Sequence, residues 1–519
     1  MANTMTDTMA DENGHESIED IKSTSIDKEG SQEETAVFEL AGSKLLLVMI
    51  GLALAIFLSS IDGSIISTAI PRITSQFGSI DDIGWYGSAY SLAMCSFQPI
   101  AGKLYANFSM KIVFLSTMAV FEFGSLICAT AVNSPMLVVG RAKRGTFIGI
   151  LHSTYGVATI LGPLLGGVLT QHASWRWCFY INLPIGAVTF TFLTLFFHPP
   201  ARNSDNVTVL QKLAKLDLIG AFLFIPSIII ILLALQWGGT RHAWKSVTII
   251  GLILGGAGLL TVFASWQVHK GDNAMIPPRL ITQRTIFTAC FINFFAMGAV
   301  YTSIYYLPEW FQVIKGVSPT KSGVMYLPLA ISEIISAIGA GMGVSFLGYA
   351  NPFIFTGTAL MSIGTGLITT FTPTTSHQRW IPYQVLQGLG AGMTLSMPYM
   401  ATQTVLKGDD IPVGTSLVQL FQFLGGSVFL SISQALFTNQ LTSSLSKLGS
   451  VGIGRAEIDK ILSAGTSSVR KIVTEAQLSA VIGAYNHGIV SAFYIATAAA
   501  AVAFVFTFGL EWRSVKPKS

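Results

Sequence analysis

The stretch VVGRAKRGTFIGILHSTYGVATILGPLLGG (Val138–Gly167) decides how this chain is read. It opens as an apolar helix, meets Lys143-Arg144 after a few residues, and starts again as a glycine-rich helix. A helix needs about 20 mostly apolar residues to cross a bilayer core. Only seven, Met136–Ala142, precede the charged pair.

The surroundings are those of a membrane protein. Of 519 residues 51% are hydrophobic and 11% charged, less than half the charge of a soluble domain. Mean hydropathy is +0.60. The net charge of +4 is spread over short loops and builds no basic face, which excludes nucleic acid as a partner. Cys95, Cys128, Cys178 and Cys290 fall in separate apolar segments and read as small buried hydrophobes. Residues 1–43 hold eleven acidic residues, two lysines and no apolar cluster. That composition predicts a disordered acidic cytoplasmic tail without a cleavable signal peptide.

Spans of sufficient length fall near 45–70, 83–102, 112–132, 146–170, 176–197, 217–237, 247–268, 286–308, 322–346, 352–371, 380–403, 414–437 and 488–511. The longest piece outside them, roughly 439–486, reads as extramembrane and polar, with some helical pattern. Lys and Arg mark cytoplasmic loops. Lys103 and Lys111 place the loop after the second span inside, and Arg202, Lys212 and Lys215 do the same for the loop after the fifth counted span. Three counted spans separate those loops and would put them on opposite faces. Lys270, Arg279 and Arg284, with the tail residues Arg513, Lys516 and Lys518, agree with the second loop. One crossing is missing between Lys111 and Arg202, and the stump before Lys143 is the place for it.

Several motifs resemble those of the fourteen-span drug:proton antiporters of the major facilitator superfamily. LSSIDGSIISTAIPRIT (Leu58–Thr74) is similar to their D-x-x-I-x-x-x-A-x-P signature, and GPLLGG followed by SWRWCFYINLPIGA (Ser174–Ala187) to their antiporter motif and its sequel. GKLYANFSMK, FEFGSLICA, LDLIGAFLF, LQWGG, YYLPEWFQVIKGVSPTKSGV, YQVLQGLGAGM and FLGGSVFLSISQALF extend the resemblance over about 44–512, with the character of fungal toxin and secondary-metabolite exporters.

The resemblance implies an all-α polytopic membrane protein of the major facilitator fold, with two six-helix halves and two extra central helices. On that frame 44–197 is the N-terminal half, 198–285 a linker carrying the extra spans, 286–512 the C-terminal half and 513–519 a cytoplasmic tail. It also implies alternating access around a midplane site, with export of a hydrophobic small molecule driven by proton entry. Against that pattern "GRA" begins the fourth span and "KRGTFIG" ends the following loop, so roughly two dozen residues are absent between Ala142 and Lys143, about one helix and a loop.

An intramembrane carboxylate is costly and marks function by default. Asp62, Glu122 and Glu333 are therefore proton-coupling candidates, joined by Arg141, which the resemblance matches to the motif arginine of the fourth span. Glu122 has a second reading, as a partner for nearby Ser and Thr, and Asp62 as a helix-to-helix hydrogen-bonding group. Glu309 reads as solvated near an interface. Gly156, Gly162, Pro163, Gly166 and Gly167 form the antiporter-type motif, where small residues permit close packing and proline bends the helix. Pro71, Trp175, Arg176, Trp177, Asn182 and Pro184 complete the family signature. Ala158 replaces a frequent glycine, and GKLYANFSMK lacks the acidic residue of the general loop motif. Trp85, Tyr86, Tyr301, Tyr305, Tyr306, Phe421 and Phe423 are candidates for lining a cavity, with interface belts as the alternative.

No nucleophile elbow, phosphate loop or metal-spaced cluster occurs, so the chain reads as a transporter and not an enzyme, with no cofactor or metal and only the proton gradient as energy source. Its expected partners are a hydrophobic substrate, protons and lipid, with the chain a monomer. The plasma membrane is the expected location, a vacuolar or vesicle membrane the alternative, with both termini cytoplasmic once a fourth span is restored. Two other readings stay open: broad drug and fungicide efflux, and a transport-defective product lacking the fourth span.

Overall fold

A computed structural model describes residues 108–137, 174–197, 217–238, 242–408, 410–448 and 473–515, with scattered positions between 47 and 105 and at 169, 454 and 458. The stretch Val138–Gly167 lies outside the described residues. Regular structure among the described residues is helical, apart from one isolated bridge between Gly238 and His242.

The helices are α1 (Met110–Ala129), α2 (Trp177–Tyr180), α3 (Asn182–Phe196), α4 (Leu218–Trp237), α5 (Val247–Lys270), α6 (Pro278–Ile281), α7 (Arg284–Val313), α8 (Pro319–Leu347), α9 (Asn351–Ile368), α10 (His377–Val405), α11 (Asp410–Ser446) and α12 (Glu475–Thr507). Eight of the described helical segments are long and apolar enough to cross a membrane by length and composition, α2 and α3 counting as one. Polar caps set their limits. Ser246 and Ser318 accept from backbone amides three residues on, and Thr474 with Gln477 forms a capping box. Gly271 and Gly348 end α5 and α8 at φ 61° and 79°, values that cost a glycine nothing. The break between α2 and α3 also has a local cause: Pro184 has no amide hydrogen for the Tyr180 carbonyl, and the helix is interrupted at Ile181.

Two contacts fix the topology of the N-terminal half. Lys111 Nζ donates to the Thr194 carbonyl at 2.7 Å, and Arg176 Nη2 donates to the Ala131 carbonyl at 3.0 Å. Helices α1 and α2–α3 are therefore antiparallel neighbours, with Lys111 and the end of α3 together at one end. Ala131 and Arg176 meet at the other, so the chain between them leaves that end and returns to it. Lys111 and Thr194 therefore lie at the same end of this helix pair.

In the C-terminal half α7 packs on α10, α11 and α12, while α10 packs on α8 and α9. The run QGLGAGM makes the second arrangement possible. A Cβ on Gly388 would strike the Leu329 carbonyl of α8, one on Gly392 the Glu333 carbonyl, and one on Gly390 the backbone of Met361 in α9. Alternate glycines let α10 approach two helices at backbone distance. The extra pair α4 and α5 pack on each other, and α5 leaves Ile250, Ile253, Leu254, Val262 and Val268 exposed, a surface suited to lipid.

The polar piece 439–486 carries helix at both ends: α11 runs to Ser446 and α12 starts at Glu475. Gln477, Asn486 and His487 lower the hydropathy there, yet Val481, Ala484 and Tyr485 are buried against Trp310 and Phe437. Tertiary packing lengthens a helix that hydropathy alone cuts short.

Candidate functional site

Asp62, Pro71, Arg141, Gly156, Gly162, Pro163, Gly166 and Gly167 lie outside the described residues. Glu122, Glu333, Trp175, Arg176, Trp177, Asn182 and Pro184 are described, and they separate into distinct environments.

Glu122 sits midway along α1 with both carboxylate oxygens buried against α3. The carboxyl group occupies the space a side chain at residue 186 would fill, so only glycine at that position leaves room for it. The hydroxyls beside it on α1 are committed elsewhere. Ser125 donates to the Phe121 carbonyl at 3.1 Å and Thr117 to the Val113 carbonyl at 2.8 Å. One helical turn from Gly186, toward the Arg176 end, Asn182 is fully buried, and neither its amide nitrogen nor its oxygen has a hydrogen-bond partner among the described residues. Leaving such groups unpaired costs about 1–3 kcal/mol each, so this seam carries polarity that packing alone does not require.

The WRW sequel closes the same end. Trp175 is buried and donates to Gln76 Oε1 at 2.8 Å. The Arg176 guanidinium lies 4.6 Å from the Trp175 ring centre while bonding Ala131. Trp177 is exposed and meets Tyr180 edge-on, as an interfacial tryptophan does.

Glu333 is half-buried on α8, at the turn where Gly392 of α10 crosses its backbone, and its side chain has no hydrogen-bond or ion-pair partner among the described residues. Glu309, expected in solvent, is half-buried on α7. Among the aromatic candidates Tyr306 and Phe423 are core residues at 1% and 2% exposure, whereas Tyr305 is 45% exposed and Tyr301 lies half-buried against Gly426. Phe421 joins Phe291 and Phe294 in a phenylalanine cluster, 5.4 and 6.4 Å between ring centres. Trp85 and Tyr86 lie outside the described residues.

A group of amides goes unmarked in the sequence reading. Gln384 and Gln387 of α10 are fully buried; Gln387 donates to Ser303 Oγ at 2.6 Å and Gln384 to the Met325 carbonyl at 3.2 Å. The carbonyl oxygen of each is left without a donor among the described residues. On α11 Gln422 accepts from the Tyr399 hydroxyl, and Gln434 from Tyr306 at 3.0 Å. The signal was present as glutamines three apart within apolar helices, 384 with 387 and 419 with 422. Unfilled acceptors of this kind suit hydroxyl or N–H groups on an otherwise apolar molecule. Between α8 and α10 an open groove of about 540 Å³ is lined by Val324, Pro328, Ile331, Ser332, Ile335 and Trp380 among others.

Outside the spans Asp217 caps α4 and is almost fully buried. Burial alone would raise its pKa, but bonds from Trp266, Gln267, Gly220 and Met275 outweigh it and hold the carboxyl below the usual carboxylate range. No cluster of three or more metal-binding side chains occurs among the described residues, and Cys128, Cys178 and Cys290 are buried.

Comparison with known proteins adds relatives over nearly the whole chain. The family profile of the fungal trichothecene efflux pump matches residues 95–513. An MFS-type efflux pump of Arthroderma benhamiae is 40% identical over 536 positions, which cover 98% of each chain. The efflux pump roqT of Penicillium rubens is 42% identical over 491 positions, 90% of each chain. Both alignments are longer than the part of this chain they contain: 98% of 519 residues is about 509, so about 27 of the 536 positions hold no residue of this chain, and for roqT the figure is about 24. Among solved structures a proton:xylose symporter of the major facilitator superfamily superposes with TM-score 0.56 at 13% identity, covering 91% of this chain and 97% of its own, which shows the fold.

Proposed function

The chain belongs to the fungal trichothecene efflux pump family, and from that premise we propose proton-coupled export of a hydrophobic small molecule, a fungal toxin or related secondary metabolite, by alternating access. As a major facilitator efflux transporter it is a multi-pass membrane protein and not an enzyme. The observation that carries the coupling is Glu122, a carboxylate buried at mid-span in a notch that Gly186 keeps open. Asp62, Glu333 and Arg141 are the further coupling candidates. The substrate reading rests on efflux relatives near 40% identity and on the glutamine acceptors in an apolar bundle. The plasma membrane is the proposed location and a monomer the proposed form, checked by fluorescence microscopy of a tagged chain and by its mass in detergent. The test of function is efflux of a labelled metabolite from pump-deficient yeast: loss of export on collapsing the proton gradient supports coupling, and gradient-independent export overturns it. Equal export of unrelated fungicides would favour broad drug efflux.

We also propose that about two dozen residues, the remainder of a fourth span and its loop, are absent between Ala142 and Lys143. Three observations support this. The contacts of Lys111 and Arg176 require an even number of crossings between α1 and α2, where the sequence has one long apolar span. The basic loops require the same parity. The alignments leave a similar number of relatives' positions unmatched. This favours, as a second reading, a product that is transport-defective as it stands. Sequencing the transcript across the Ala142–Lys143 junction and comparing efflux by the 519-residue chain with a longer one decides between the two. A transcript without extra codons, together with full export, removes the second reading.

A further inference from the structure

One level of the C-terminal half is polar where an apolar bundle has no need of polarity. Gln384 and Gln387 of α10 stand three residues apart, close neighbours on one face of the helix. The Met325 carbonyl can only accept, so the atom 3.2 Å from it is the Gln384 Nε2 and the Gln384 oxygen points elsewhere. Ser303 gives its hydrogen to the Ala299 carbonyl at 3.2 Å, so its oxygen receives the Gln387 Nε2 at 2.6 Å. Both amides are thereby fixed in orientation, and both carbonyl oxygens stay without a donor among the described residues. The hydroxyls at this level cannot serve them. Thr302 donates to the Gly298 carbonyl at 2.9 Å, which makes Ser433 the donor in the 3.1 Å contact between their hydroxyls. Tyr306 donates to Gln434 Oε1 at 3.0 Å. Each of these hydroxyls has one hydrogen, and each is committed. Asn293 and Ser427, whose side chains are unpaired among the described residues, lie nine residues before Thr302 on α7 and six before Ser433 on α11, outside this level. Gln384 is tied to α8 and Gln387 to α7, so the strip of α10 that carries the two oxygens faces the gap those helices leave.

We propose that Gln384 and Gln387 form a subsite for hydrogen-bond donors, and that the exported molecules are phenols, polyols or N–H compounds carrying two donors on one edge of an apolar body. The proposal rests on the efflux reading and names the substrate class within it. The Cβ atoms of residues three apart on a helix are about 5–6 Å apart, so two hydroxyls on one ring system come within reach of both oxygens. The protein has no hydrogen of its own to offer them at this level, so the ligand supplies it. An ether, ester or ketone oxygen is itself an acceptor and gains nothing here. Methylating the hydroxyls of a substrate therefore removes the groups this subsite holds, a sharper discrimination than an apolar pocket makes on size.

The experiment is a calorimetric titration of the purified full chain in detergent with a trihydroxystilbene and, separately, with its trimethyl ether, compounds of similar shape that differ in their donors. The phenol should bind at least about tenfold more tightly, as two neutral hydrogen bonds allow, although the ether is the more apolar of the two. Gln384→Met and Gln387→Met should each lower that ratio, and the double variant should bring it to about one, by weakening the phenol and not by tightening the ether. Thermal unfolding identifies the variants that fold, and the single ones decide the matter if the double one does not. A wild-type ratio near one would overturn donor recognition and leave the efflux reading standing. A preference for the phenol undiminished in both folded single variants would overturn the assignment to these glutamines. Loss of the preference in the variants supports the subsite even where the chain exports nothing, because binding is read without transport; absence of export would then overturn the efflux reading alone.

Discussion

Replacing Asp217 should unfasten the extra-helix pair. Its Oδ1 accepts from Gly220 N at 3.0 Å and Trp266 Nε1 at 2.8 Å, and its Oδ2 from Gln267 Nε2 at 2.9 Å and Met275 N at 3.0 Å. Hydrogen bonds to a charged acceptor contribute about 1.5–3 kcal/mol each, but the four share one carboxylate and do not add. Removing the acceptor also strands buried donors, so Asp217→Ala should cost about 3–5 kcal/mol, the range for a broken buried charged network. Asp217 is also the one non-glycine described residue at positive φ, 48°. Alanine pays about 1–2 kcal/mol there, glycine nothing and asparagine little, so Asp217→Gly should be the milder truncation. Asp217→Asn keeps one oxygen for two donors and turns an amide toward the other two, for about half the loss. The assay is unfolding by rising detergent fraction in mixed micelles, followed by Trp266 fluorescence, with hydrogen exchange at the Met275 amide as local readout. Because the folded carboxyl has a lowered pKa, its stabilisation is complete above the unfolded value near 4 and is lost as pH falls through the folded one. The gap between wild type and Asp217→Asn should therefore close only in strong acid. An Asp217→Ala chain with an unchanged midpoint and a still-protected Met275 amide would refute the reasoning.

Other outcomes follow from the remaining sites. Gly186→Ala puts a methyl group where the Glu122 carboxyl lies and should cost about 1–3 kcal/mol in overpacking, with Glu122→Ala in the same chain relieving most of it; additive losses on thermal unfolding would count against the notch. In vesicles of the exporting form, Glu122→Gln and Asp62→Asn should each abolish substrate-dependent proton flux at unchanged membrane abundance, and normal flux in both would remove them from the coupling path. Gln387→Met should leave stability within about 1 kcal/mol, since it removes an unpaired acceptor together with its donor. It should also raise the half-saturating concentration for hydroxylated substrates alone, and an equal change for fully apolar ones would refute recognition by that amide.

Much of this molecule is legible from single residues in context. Glu122 stands out because a carboxylate in an apolar run is costly wherever the run is placed. The parity conflict between Lys111 and Arg202 is also a sequence fact, and the contact of Lys111 with the Thr194 carbonyl is compatible with the charges. The limits of α12 were not legible, because Asn486 looks polar until Trp310 donates to it at 2.8 Å. Gln384 and Gln387 were passed over for a related reason: an amide in a helix has no assigned value until its neighbours are known.

The sequence by itself determined that the chain is a bundle of membrane helices of an efflux family, that carboxylates such as Glu122 and Glu333 stand in long apolar runs, and that the counted apolar runs and the basic loops disagree in parity. These follow from length, hydropathy and charge, which act residue by residue. Only the tertiary structure decided that Glu122 faces Gly186, that Asp217 gathers four donors from three parts of the chain, and that Lys103, Arg279 and Asp410 meet at one end. Apart from the local Gly220 bond to Asp217, those pairings join residues between 49 and more than 300 positions apart, and local preference carries no information about which distant helix will supply the partner.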